Sequence, residues 1–151
     1  MRAINHAATG AIIGLIITNP VALPLAFMSH YALDALPHHG FKESPSSFKF
    51  FKAFLLIDTI LCLALVIVIS LRHPAYWWLA VVCAFIAASP DFMWIGDFKR
   101  QLENKPAIKM EGRRALTRWH SYIQWFQRPI GLVTEIVWMI ASAIILAALL
   151  A

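Results

Sequence analysis

Hydrophobic positions in this chain come in long unbroken runs rather than alternating with polar ones. Residues 3–18 form the first run, and Asn19-Pro20 separates it from a second over 21–36. Three more follow at 53–71, 75–89 and 129–151. Runs of this kind predict helices with apolar surroundings on every side. The first two, about 24 Å each as helices, are short against a hydrocarbon core of about 30 Å. They read as a tight hairpin, which can stay shallow in a bilayer only if its turn is buried in protein. A polar loop, 37–52, follows, with Lys42, Glu43 and Lys49, and its Phe48, Phe50 and Phe51 suit the membrane interface. The basic loop 92–128 predicts an amphipathic helix lying on the surface. The expected fold is all-α: a single membrane domain over 1–151, an integral helical bundle of about five hydrophobic segments plus one cytoplasmic interfacial helix.

Composition strengthens this picture. The chain is 60% hydrophobic and 14% charged, against roughly 45–50% and about 25% in soluble domains. The first run is too long and too rich in Gly and Asn-Pro for a cleaved signal peptide. Gly10 and Gly14 form a G-x-x-x-G spacing that lets a neighbouring helix, or a second copy of the chain, approach closely. Cys62 and Cys83 sit inside apolar runs and read as small hydrophobes.

Charge sets orientation. Of the 13 lysines and arginines, only Arg72 falls on the face opposite the N-terminus and the two long loops. The bias predicts a multi-pass protein of the cell inner (plasma) membrane, its N-terminus and loops cytoplasmic and its C-terminus outside. The partner implied is the lipid bilayer with its anionic headgroups. A nucleic acid is not, because the basic residues flank hydrophobic segments instead of forming a recognition module.

With that topology, the unusual polar side chains fall in one layer near the cytoplasmic surface. His30 and Asp34 are spaced i, i+4 at the end of the second run, and share a helix face. Pro37 ends that helix, and His38 and His39 follow. His6 opens the first run, Asp91 ends the fourth, and His120 precedes the fifth. Asp58 and Glu135 lie inside the third and fifth, where a carboxylate is costly and defaults to a functional reading. Only His73 lies on the opposite face, as an interfacial residue. A mixed imidazole and carboxylate set suits a divalent metal, zinc first and manganese or iron next. Spare carboxylates in the layer could act as general base or orient the histidines. No G-x-S-x-G, P-loop or Rossmann glycine pattern is present.

His6 followed by Gly10, Ser29-His30-x-x-x-Asp34-x-x-Pro37-His38, Pro90-Asp91 and Trp119-His120 together resemble the small bacterial and archaeal membrane-bound metal-dependent hydrolases. The Ser-His element is also similar to one in zinc-dependent phospholipase C-like proteins. The resemblance implies that His6, His30, Asp34, His38, Asp91 and His120 are the metal residues and that the activity is hydrolytic, with Asp58 and Glu135 the candidates for base or supporting acid. Two departures stand out. His39-Gly40-Phe41 replaces an acidic residue frequent after the Pro-His pair. Asp91-Phe92-Met93-Trp94 replaces a P-D-x-D-H extension, which puts a second metal in doubt. The expected function is a membrane-embedded metal-dependent hydrolase acting on phosphoester or lipid-linked substrates. The alternative is a non-catalytic structural or accessory protein whose His/Asp layer only holds the helices together.

Overall fold

Helix α1 (Ala3–Ile16) is the element the others enclose. Its buried side comprises Ala7, Ala8, Gly10, Ala11 and Gly14, residues small enough to bring backbones together. In the computed structural model it packs against α2 (Ala22–Asp34), α3 (Pro45–Arg72), α4 (Trp77–Ala88) and α7 (Gly131–Leu149). The structure describes residues 1–39, 45–103, 105, 112 and 114–151, with backbone alone for 45–51 and 101–102. Lys42, Glu43, Gly40, Phe41, Lys109, Arg113 and the side chains of Phe48, Lys49, Phe50 and Phe51 therefore lie outside the described residues.

The G-x-x-x-G face is taken up within the chain. A Cβ on Gly10 would lie 2.3 Å from the Cys83 carbonyl oxygen, and one on Gly14 2.7 Å from Ala80 Cα. Helix α4 thus fills the place expected for a neighbour, and a second copy could use this face only by displacing it. Around the contact lie two apolar clusters. One joins Ala7, Ala11, Ile69, Ala84 and Leu146, and the other joins Ala22, Ala26, Leu79, Cys83 and Ala87.

The predicted hairpin of α1 and α2 is present, with Asn19 Oδ1 accepting from the Val21 N–H at 3.0 Å. Its turn is not buried in protein, since Ile16 and Val21 on either side are exposed. Helix α3 begins at Pro45, eight residues before the expected start. Polarity had marked that stretch as loop, but a proline at the first helical position is pre-organised for helix, and polar residues do not stop one. Two residues in the connection to α4, His73 and Tyr76, have left-handed φ values of 48° and 61°.

The fourth segment does not stop at Pro90. The chain tightens into a 3-10 turn, Ser89–Trp94, and continues as α5 (Ile95–Leu102). Proline at the start of a turn removes a donor that would be unpaired anyway. The basic stretch therefore carries α5 and α6 (Ala115–Ile123) in place of a single surface helix. Among the described residues there is no strand, only a bridge pairing His38 with Gln127. Among the described residues, three stretches are long and apolar enough to cross a membrane: Lys52–Arg72, Trp77–Arg100 and Gly131–Leu149. Leu56, Ile60, Leu63 and Ile67 on α3, with Val137, Ile140 and Ile144 on α7, are exposed.

Candidate metal centre

Four elements deliver the centre. Helix α2 ends with His30 and Asp34 on the same face, as their spacing predicts. The 3-10 turn after α4 presents Asp91, and α6 presents His120. Ligand atoms of these four residues all lie within 4.8 Å of one another. His6 comes from α1 and stacks on His30, ring centroids 4.0 Å apart.

Asp34 is the hub. Its Oδ2 lies 2.7 Å from His120 Nε2 and 3.3 Å from His30 Nε2. Gln124 Nε2 donates to the same oxygen at 2.8 Å. Oδ1 faces the other way, 3.1 Å from His6 Nε2 and paired with the amino group of Met1. His6, His30, Asp34 and His120 are each 0% exposed. Asp91 is the opening, its side chain 23% exposed and its Oδ1 3.8 Å from His30 Nε2.

Hydrogen bonds fix which imidazole nitrogen points inward. His30 Nδ1 lies 2.8 Å from the Ala87 carbonyl oxygen, which can only accept. In the neutral ring the proton therefore sits on Nδ1, and Nε2 turns its lone pair to the cluster, as in ligand histidines held by a carbonyl. His120 Nδ1 faces the sulfur of Met93 at 3.2 Å, with Nε2 again inward. The two Nε2 atoms are 3.1 Å apart. Ligands about 2.0–2.1 Å from a tetrahedral ion stand about 3.3 Å from each other. The separations among His30, Asp34 and His120, 2.7 to 3.3 Å, are close to that value. Asp91 stands further out, 3.8 Å from His30 in a group whose ligand atoms lie within 4.8 Å of one another. The residues fit a divalent cation by geometry and by donor type, and a cationic group already lies against Asp34.

The remaining candidates lie outside the four-residue group. His38 Nδ1 donates to the Leu36 carbonyl at 2.9 Å, and its buried Nε2 has no hydrogen-bond partner among the described residues. Burial, aided by the Met1 charge, holds this imidazole below its ordinary pKa, so it stays neutral. Its strand-like segment is pinned by the Phe126 and Arg128 backbones and by Gly131, where a Cβ would meet His38 at 2.1 Å. Asp58 accepts the Ala3 and Ile4 N–H groups at 2.8 and 3.1 Å, capping α1 from α3. Glu135 pairs with Arg2 at 3.1 Å and accepts from the His39 N–H. Neither acid reaches the cluster, and each has structural partners. Asp58→Ala should remove the cap and cost about 1–2 kcal/mol, read as a lower melting temperature in detergent.

Three contributors escaped the sequence reading. Gln124 lies one turn beyond His120, an i, i+4 relation that could have flagged it. Tyr31, next to His30, walls the centre with its ring against His120 and Trp119. No local signal marked Met93. No family model matches the chain, and no curated protein or solved structure is significantly similar to it.

Proposed function

We infer that the chain is a membrane-embedded metal-dependent hydrolase acting at the cytoplasmic leaflet on a phosphoester or lipid-linked substrate. The observation that carries this reading is the convergence of His30, Asp34, Asp91 and His120, three of them fully buried, from three elements onto one point. Histidines and acids rarely gather without water unless they serve a cation or a closed hydrogen-bond network. Membrane embedding is supported by the three apolar spans and the exposed aliphatic faces of α3 and α7. In a bilayer the exposed hairpin turn belongs at a headgroup layer, because its backbone could not be satisfied in hydrocarbon.

A divalent ion, zinc before manganese or iron, would supply Lewis acidity toward a phosphoryl or acyl oxygen and toward water. His30 and His120 would hold it through Nε2, with Asp34 and Asp91 adding carboxylate oxygens. Asp91 borders the only exposed edge of the group, so it is also the acid best placed to take a proton from an entering water. It takes the role expected of Asp58 or Glu135. Gln124 fixes the orientation of Asp34, and the Ala87 carbonyl that of His30. Exposed Leu116, Trp119, Tyr122 and Trp125 alongside Arg118 and Arg128 form a surface suited to the interface with anionic headgroups.

Elemental analysis of protein purified without chelators should find stoichiometric metal, absent from His30→Ala. Asp91→Asn should retain much of the metal and lose turnover of a chromogenic phosphodiester by about 10²-fold or more. A metal-free wild type would overturn the reading. It would favour the second one, a polar layer that only locks the helices, which draws on the hydrogen bonds Asp34 already makes to His120 and Gln124.

A further inference from the structure

Away from the metal centre, α1, α3 and α7 diverge around an elongated cavity of about 670 Å³. Its volume falls in the range of small-ligand sites, about 300–1,000 Å³. The gap has a sequence cause: Ala8, Ala64, Ala143 and Ala147 line it where larger residues would have filled it. Along α7 the lining runs from Met139 to Leu150, about 16 Å at the helical rise. The space is a half-open groove, so its apolar walls gain packing contacts only when an apolar chain lies in it.

The polar features of the lining lie at its two ends. Asn5 is on the inner side, 1% exposed. Its Nδ2 donates to the Glu135 carbonyl, and its Oδ1 has no hydrogen-bond partner among the described residues. Arg72, at the C-terminal end of α3, is exposed at the other end and has no ion pair among the described residues. No aspartate or glutamate side chain lines the space. A guanidinium is a preferred partner for phosphate, which it can bind through two parallel N–H donors.

We propose that this cavity is a binding slot for an anionic glycerophospholipid, one acyl chain lying between α1, α3 and α7 and the phosphate held by Arg72. The apolar walls favour the acyl chain, and the unpartnered Asn5 Oδ1 at the floor takes a water beyond the chain end. Arg72 caps the end of a spanning helix opposite to the one nearest the metal centre, so this lipid is not the substrate of that centre. The proposal shares the membrane setting of the proposed function and is independent of its chemistry.

The test is native mass spectrometry of the full chain released from mixed vesicles of phosphatidylglycerol and phosphatidylcholine, with metal content measured on the same samples. The wild type should retain one phosphatidylglycerol per chain in preference to phosphatidylcholine by about tenfold, the value of a charge-assisted contact. Arg72→Gln should level the two lipids, and Ala143→Phe should lower retention of both, with metal content unchanged in each. If Ala143→Phe does not fold, Ala147→Leu narrows the same slot with a smaller change. Equal retention of the two lipids by the wild type would overturn the proposal. So would retention indifferent to every variant, or slot-filling variants that change oligomeric state while lipid content stays constant.

Discussion

Asp34→Ala should abolish metal binding and also lower stability by about 3–5 kcal/mol, the cost of removing one member of a buried charged network. Both carboxylate oxygens are engaged, Oδ2 by His120 and Gln124 and Oδ1 by His6 and the Met1 amino group. Their loss leaves several buried donors facing one another with no acceptor between them. Asp34→Asn separates the two consequences. It keeps the shape and some of the hydrogen bonds, so it should fold nearer to wild type yet still fail to hold the ion. Acidification should release the ion from the wild type, because a protonated ring has no lone pair to offer. The sign is fixed: acid releases the ion and base does not. Elemental analysis after equilibration at stepped pH, with thermal unfolding of both variants, checks the prediction.

Gly10→Val should be still more damaging to the fold. Its Cβ alone would lie 2.3 Å from the Cys83 carbonyl oxygen and 2.8 Å from the carbonyl carbon. These are backbone atoms and cannot rotate aside, so α1 and α4 would have to move apart. Overpacking costs about 1–3 kcal/mol where side chains can shift, and here the cost should exceed about 3 kcal/mol on the same argument. The separation would also draw His6, on α1, away from Asp91, which follows α4. Loss of monodisperse protein on size exclusion is the expected result. Gly96→Ala is the control, since nothing lies within 4 Å of the added carbon. A Gly10→Val protein as stable as that control would refute the packing account.

Much of the centre could be read from local spacing. His30 and Asp34 needed only a helical period to share a face, and the Asn19-Pro20 break divided α1 from α2 as expected. What spacing cannot carry is partnership across the chain. Asp58 and Glu135 stood out because acids are rare in apolar helices, yet their partners are the start of α1 and Arg2. Those contacts depend on how helices dock, and the reading of both as base or supporting acid rested on the cost of a carboxylate in an apolar helix and on a shared layer with the histidines. Pro90 misled for a different reason. A proline ends a helix only where its missing N–H was needed, and at the head of a 3-10 turn it was not. Gln124 combined both difficulties, being a weak motif on its own and informative only beside His120.

The enclosure of α1 bears on assembly. At 14 residues, this helix falls short of the roughly 20 that a bilayer accepts unaided, and its companion α2, at 13 residues, is shorter still. Helices α1 and α2 therefore depend on walls supplied by later parts of the sequence, and α1 settles only once α3, α4 and α7 stand around it. Maturation of the centre should track docking of α7, so a chain cut before that helix would hold its histidines without any order among them.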